Sequence, residues 1–106
     1  MSVTHWSASE KKIARRVFES ALQQELSETM ADFEQKAANV TTPNEMWSVR
    51  IFLSHAQRKI DSKYDFRYSQ LESLFGILLR EKRISEEDLA GLAEEKLNYI
   101  RRVASL

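Results

Sequence analysis

The chain has 106 residues, 42% hydrophobic and 30% charged, and its 16 basic and 16 acidic side chains cancel to a net charge of zero. That length and composition fit one globular domain and exclude a disordered chain. Two glycines and one proline are too few for the turns of an all-β fold, and the absence of cysteine excludes disulfides, zinc fingers, iron–sulfur clusters and thiol catalysis.

Helix signals recur along the rest of the chain. Ser7-Ala8-Ser9-Glu10 has the form of a capping box, in which a hydroxyl and a carboxylate three residues on satisfy each other's backbone N–H groups. An apolar stripe follows at steps of three or four: Ile13, Val17, Ala21, Leu22, Leu26, Met30, Phe33, Ala37. With no Gly or Pro to interrupt it, this predicts one helix over 8–39. Thr42-Pro43-Asn44-Glu45 is a second start. Pro43 suits the first helical position and bars Thr42 from continuing the helix before it. Met46, Val49, Leu53, Ala56, Ile60 and Tyr64 then predict a helix over 43–63 with a nearly coiled-coil seam.

Tyr68, Leu71, Leu74, Phe75 and Leu78 mark a third helix over 65–82, either continuous with the second or starting afresh near Asp65. Ser85-Glu86-Glu87-Asp88 stacks carboxylates where the helix dipole favours them. With Leu89, Leu92, Ala93, Leu97, Ile100 and Val103 it predicts a fourth helix over 85–104. The expected fold is all-α, a helical hairpin stalk with a smaller helical head.

Length has a consequence for assembly. A ~30-residue helix is about 45 Å long, whereas a compact domain of this size is roughly 35 Å across. The first helix overhangs such a globule, and the outer parts of the two long stripes call for a second chain. The reading is a homodimer, with Met46, Val49, Leu53, Ala56 and Ile60 at the interface.

Chemistry has little to stand on. Ser54, His55 and Asp61 are residue types of a hydrolytic triad, but successive helical residues point in different directions. Two histidines far apart in sequence and no Glu-x-x-His motif argue against a metal centre. Glu86, Glu87, Asp88, Glu94 and Glu95 read as a helix start and a solvated face. No catalytic residue, metal or cofactor is expected. Lys11, Lys12, Arg15 and Arg16, with Arg101 and Arg102, are the cations available to nucleic acid, but zero net charge argues against that partner. No apolar run approaches the ~20 residues of a membrane span. Met1-Ser2-Val3-Thr4-His5 lacks the pattern of a secretory leader, so the cytoplasm is the expected location and the sequon at Asn39 carries no weight.

Residues 47–69 are dense in aromatic and charged side chains: WSVRIFLSHAQRKIDSKYDFRYS. Aromatics interleaved with Arg suit a protein interface. Phe52, Ile60 and Tyr64 are expected to pack the hairpin. Trp47 lies one residue off the Met46/Val49/Leu53 seam, so its ring should reach the flank and be open to a partner.

At these residues the sequence resembles the fluorescence recovery proteins of cyanobacteria. The resembling pieces are Trp6-Ser7, Glu25-Leu26, Met46-Trp47, Phe52-Leu53-Ser54, then Ile60-Asp61-Ser62-Lys63-Tyr64-Asp65 with Arg67 and Ser69, and finally Phe75, Leu78 and Leu79. The resemblance spans nearly the whole chain. It implies a non-enzymatic all-helical homodimer with a stalk and a head. It also implies a partner, the photoactivated red form of the orange carotenoid protein. The family returns that form to orange, which detaches it from the phycobilisome and ends quenching. The family's functional face carries a Trp, an Asp four residues later and an Arg ten residues later. Trp47 matches, whereas Ile51 and Gln57 stand at the Asp and Arg positions, with Arg50 and Arg58 beside them. The partner-binding candidates are therefore Trp47, Arg50, Ile51, Gln57 and Arg58 on the stalk and Phe75 near the head. The alternative is a diverged homologue that lacks the two charges and regulates an unrelated protein as a dimer, with nucleic acid a more distant option.

Overall fold

The computed structural model describes residues 5–106; the Met1–Thr4 stretch read for a leader lies outside the described residues. Two of the sequence signals set the long helices directly. Ser7 caps α1 (Ala8–Ala38), its hydroxyl accepting from the Glu10 N–H at 3.2 Å while Glu10 accepts from the Ser7 N–H at 3.0 Å. Thr42 and Glu45 repeat the arrangement at the start of α2 (Pro43–Lys63), with both bonds at 3.2 Å. The chain turns between them at 39–42, so α1 and α2 run antiparallel as a hairpin.

The head follows. Residues 64–67 leave the helix, and α3 spans Tyr68–Arg80, so the second and third helices are separate and the third begins later than the expected 65. Lys82 ends α3 in the left-handed region at φ 63°. The Arg83 N–H reaches the Leu78 carbonyl at 2.9 Å and the Lys82 N–H reaches Leu79 at 3.0 Å, the pairing of a Schellman motif.

The expected fourth helix over 85–104 is two elements. Ser85 and Asp88 do form a capping box, but it opens only a 3-10 turn, Glu86–Leu89. The backbone is extended at Ala90, and Gly91 follows at φ +105°, where an L side chain would be strained. The continuous helix α4 is Glu94–Ala104.

α3, the 3-10 turn and α4 pack on the N-terminal half of α1. Ala14, Val17, Phe18 and Ala21 meet Leu71, Leu74, Phe75, Leu78, Leu89 and Ile100 in one apolar core. Gly76 lets α3 and α4 approach: a Cβ there would lie 2.4 Å from the Val103 Cβ. Beyond Leu26 the core stops, and α1 continues alongside α2 as a stalk. The result is 54 × 26 × 24 Å with a radius of gyration of 17.0 Å, against ~13 Å for a compact chain of this length.

Candidate partner-binding surface

α2 divides its side chains between two sides. Val49, Phe52 and Ala56 are half-buried and Ile60 is buried, so this row faces α1. Two rows lie away from it. Met46, Arg50, Leu53 and Gln57 follow each other at helical spacing, as do Trp47, Ile51, Ser54 and Arg58, and all eight are exposed. Trp47 is 53% and Ile51 55% exposed, four residues apart on one face. On α1, Met30 and Phe33 are open as well. The outer half of the stalk therefore carries six large apolar side chains that its own chain leaves uncovered.

Two sequence assignments change. Phe75 is fully buried, on the α3 face that meets α4 and α1, and has no surface to offer a partner. Ile60 is 8% exposed and packs within its own chain, so it is not free for an interface between chains. Val49 and Ala56 are partly used in the same way. Met46 and Leu53, read as one seam with them, fall outside it because the row facing α1 shifts through Phe52.

A groove of about 330 Å³ runs between α1 and α2, with Glu28, Asp32, His55 and Lys59 along its sides and Phe52, Ala56 and Ile60 at its base. Ser54, His55 and Asp61 are all exposed and diverge around α2, which leaves no triad geometry. Among the described residues no group of His, Asp and Glu side chains is placed to hold a metal ion. Three of the cations considered for nucleic acid are engaged locally. Arg15 stacks on Phe66 at 3.7 Å, Arg16 donates to the Asp88 carbonyl at 3.0 Å, and Arg101 pairs with Glu86 and Glu94.

One buried group fixes the stalk to the head. Glu25, on α1, is 8% exposed. It accepts from Lys63 Nζ at 2.9 Å and from the Tyr64 hydroxyl at 2.7 Å, and Arg83 Nε lies 3.4 Å away. Lys63 also reaches Glu81 at 2.7 Å, and Arg83 forks onto Glu28 at 2.9 and 3.0 Å. Burial pushes the Glu25 pKa up, but the bonds from Lys63 and Tyr64 outweigh it and leave it lowered. Burial, then the bond to Glu25, pushes the Tyr64 phenol well up. The sequence held a signal for this group: Glu25 follows Ala21 by four residues on the buried face, where an unpaired carboxylate is costly.

A two-helix stalk with an open apolar face and a small packed head defines an all-helical stalk-and-head protein. Residues 6–104 match the family model described as photoprotection regulator fluorescence recovery protein, and the chain belongs to that family. It is 35% identical over 101 residues to the fluorescence recovery protein of Synechocystis sp., covering 95% of this chain and 93% of that one. The fold is similar to the structure of the fluorescence recovery protein from Synechocystis sp. PCC 6803, with TM-score 0.89 and 34% identity over 96% of this chain and all of that one. It is also similar to the Fremyella diplosiphon fluorescence recovery protein, with TM-score 0.88 and 28% identity over the same shares.

Proposed function

We propose that the chain is a non-enzymatic regulator that binds the photoactivated form of an orange carotenoid protein and accelerates its red-to-orange return, so ending quenching at the phycobilisome. It works as a cytoplasmic homodimer. The observation that carries the reading is the exposed Trp47/Ile51 face, set on a stalk that its own chain does not cover. A binder shifts an equilibrium only through its differential affinity for the two states. Arg50, Arg58 and Gln57, beside that apolar face, supply the polar contacts that orient a partner. Met46 and Leu53, with Met30 and Phe33, supply the contact between two stalks. The test is complex formation, by size exclusion, with the carotenoid protein in the light and in the dark. A complex in the light and none in the dark supports the reading; equal binding in both removes it.

A second reading rests on Ile51. An apolar side chain, 55% exposed, stands where the family's face carries an Asp, and Gln57 stands where it carries an Arg. On that reading the dimer regulates a different and more apolar protein. Ile51→Asp with Gln57→Arg separates the two: it strengthens binding to the carotenoid protein on the first and leaves it absent on the second.

A further inference from the structure

The chain has no cysteine and three methionines, so its oxidisable sulfur is all thioether. The two methionines within the helices are Met30 on α1, 62% exposed, and Met46 on α2, 47% exposed. Methionine ordinarily sits among the most buried residue types. Neither side chain contributes to the apolar core. Both lie on the uncovered half of the stalk: Met30 is three residues before Phe33, and Met46 adjoins Trp47 and lies seven before Leu53. Two thioethers that are open in the single chain thus sit on the surface read above as the contact between stalks, and only the dissociated chain offers them to an oxidant.

We propose that Met30 and Met46 are sites of reversible oxidation by peroxides and that sulfoxide formation drives the dimer toward monomer. This rests on the homodimer reading. The thioether sulfur donates an electron pair to one peroxide oxygen. The O–O bond breaks and the S–O bond forms. The transferred hydroxyl gives up its proton to the departing hydroxide or alkoxide, which leaves as water or alcohol, so methionine loses two electrons and the peroxide gains them. The product is a polar, chiral side chain in place of a flexible apolar one. On an interface it carries a strong acceptor that must be desolvated for the two stalks to close. The head is untouched, because its core contains neither residue. Association in turn covers the two sulfurs, so dilution below the dimer's dissociation constant speeds the oxidation.

The test uses the full chain treated with hydrogen peroxide, with peptide mass mapping, circular dichroism and light scattering across a dilution series. The expected result is one added oxygen at each of Met30 and Met46, unchanged helicity, and a dimer dissociation constant raised roughly tenfold or more. Methionine sulfoxide reductases of both stereospecificities should restore the original value. Met30→Leu with Met46→Leu, which conserves volume and retains Met1, should stay dimeric and ignore peroxide. The proposal is overturned if both sulfurs resist peroxide, if the doubly oxidised chain keeps its association, or if the Leu variant dissociates to the same extent. An untreated chain that is monomeric at every concentration overturns it by removing the dimer itself, an outcome the untreated control reports separately.

Discussion

Lys63, the last residue of α2, places its ammonium 2.9 Å from Glu25 on α1 and 2.7 Å from Glu81 just past α3, so one side chain joins both stalk helices to the head. The two side chains of the inner pair are only 13% and 11% exposed. Breaking a mostly buried pair from one side leaves its partner charge less well compensated, here with Arg83 at 3.4 Å and the Tyr64 hydroxyl as the remaining partners of Glu25. Lys63→Met should therefore lower stability by about 2–3 kcal/mol, whereas Lys63→Met with Glu25→Gln should recover part of that loss. Thermal denaturation at one fixed protein concentration checks this. A single variant as stable as the parent would mean that the junction does not hold the head.

Acid should loosen the other end of the head. Burial alone would raise the Glu10 pKa, but bonds from the Ser7 and Ala93 N–H groups and from Lys96 bring it down to about 2. A carboxylate whose pKa is depressed by folding stabilises the fold above its unfolded value, and that stabilisation is lost as pH falls through the folded one. The window runs from 4.5 to about 2, and the contribution at neutral pH is of order 3 kcal/mol. Glu10→Gln should melt well below the parent at pH 7, and the two curves should converge as pH approaches 2. A gap that stays constant with pH would contradict this assignment.

Gly76 should resist a side chain. A Cβ there would meet Val103 Cβ at 2.4 Å and the Ile100 carbonyl at 2.9 Å, so α3 and α4 would have to separate. Overpacking of this kind costs about 1–3 kcal/mol, more than the ~1 kcal/mol that alanine gains over glycine in a helix. Gly76→Ala should lower the melting temperature by several degrees. A higher melting temperature would show that the crossing has room.

The helices were legible where a local rule decides them. Ser7/Glu10 and Thr42/Glu45 are short-range devices, and both form as the spacing implies. The break at 64–67 and the split of the fourth segment were not so decided. The first depends on Tyr64 reaching Glu25 across 39 residues, and the second on Gly91 lying over Ile13, whose Cδ1 would be 2.6 Å from a Cβ there. Trp47 is exposed, but not for the reason the spacing offered: the Met46/Val49/Leu53 row it was measured from is not the one that faces α1, and Trp47 lies away from the Val49/Phe52/Ala56 row that is. Phe75 was legible as core, since it lies four residues after Leu71 and three before Leu78 on the buried stripe, and the resemblance rather than the spacing made it a partner candidate.

Self-association should depend on the open half of the stalk. Leu53 is 39% exposed within its own chain, so a charge there costs the monomer little, but in an apolar contact it is desolvated without a partner. Leu53→Glu should leave helicity and melting behaviour near those of the parent monomer while shifting the mass from dimer toward 12.4 kDa. Light scattering at micromolar concentration decides this. A parent chain of 12.4 kDa throughout would remove the dimer, and a dimeric Leu53→Glu would move the contact elsewhere.

The most direct test of the account is the rate at which a photoactivated orange carotenoid protein returns to orange in the dark, followed by absorbance with this chain absent, present, and present as Trp47→Ala. The account predicts faster return with the parent chain, and with Trp47→Ala a loss of affinity of about 2 kcal/mol or more, seen as a concentration requirement raised roughly thirtyfold with little change in melting temperature. No acceleration at any concentration of the parent chain, or full acceleration by Trp47→Ala, would contradict it.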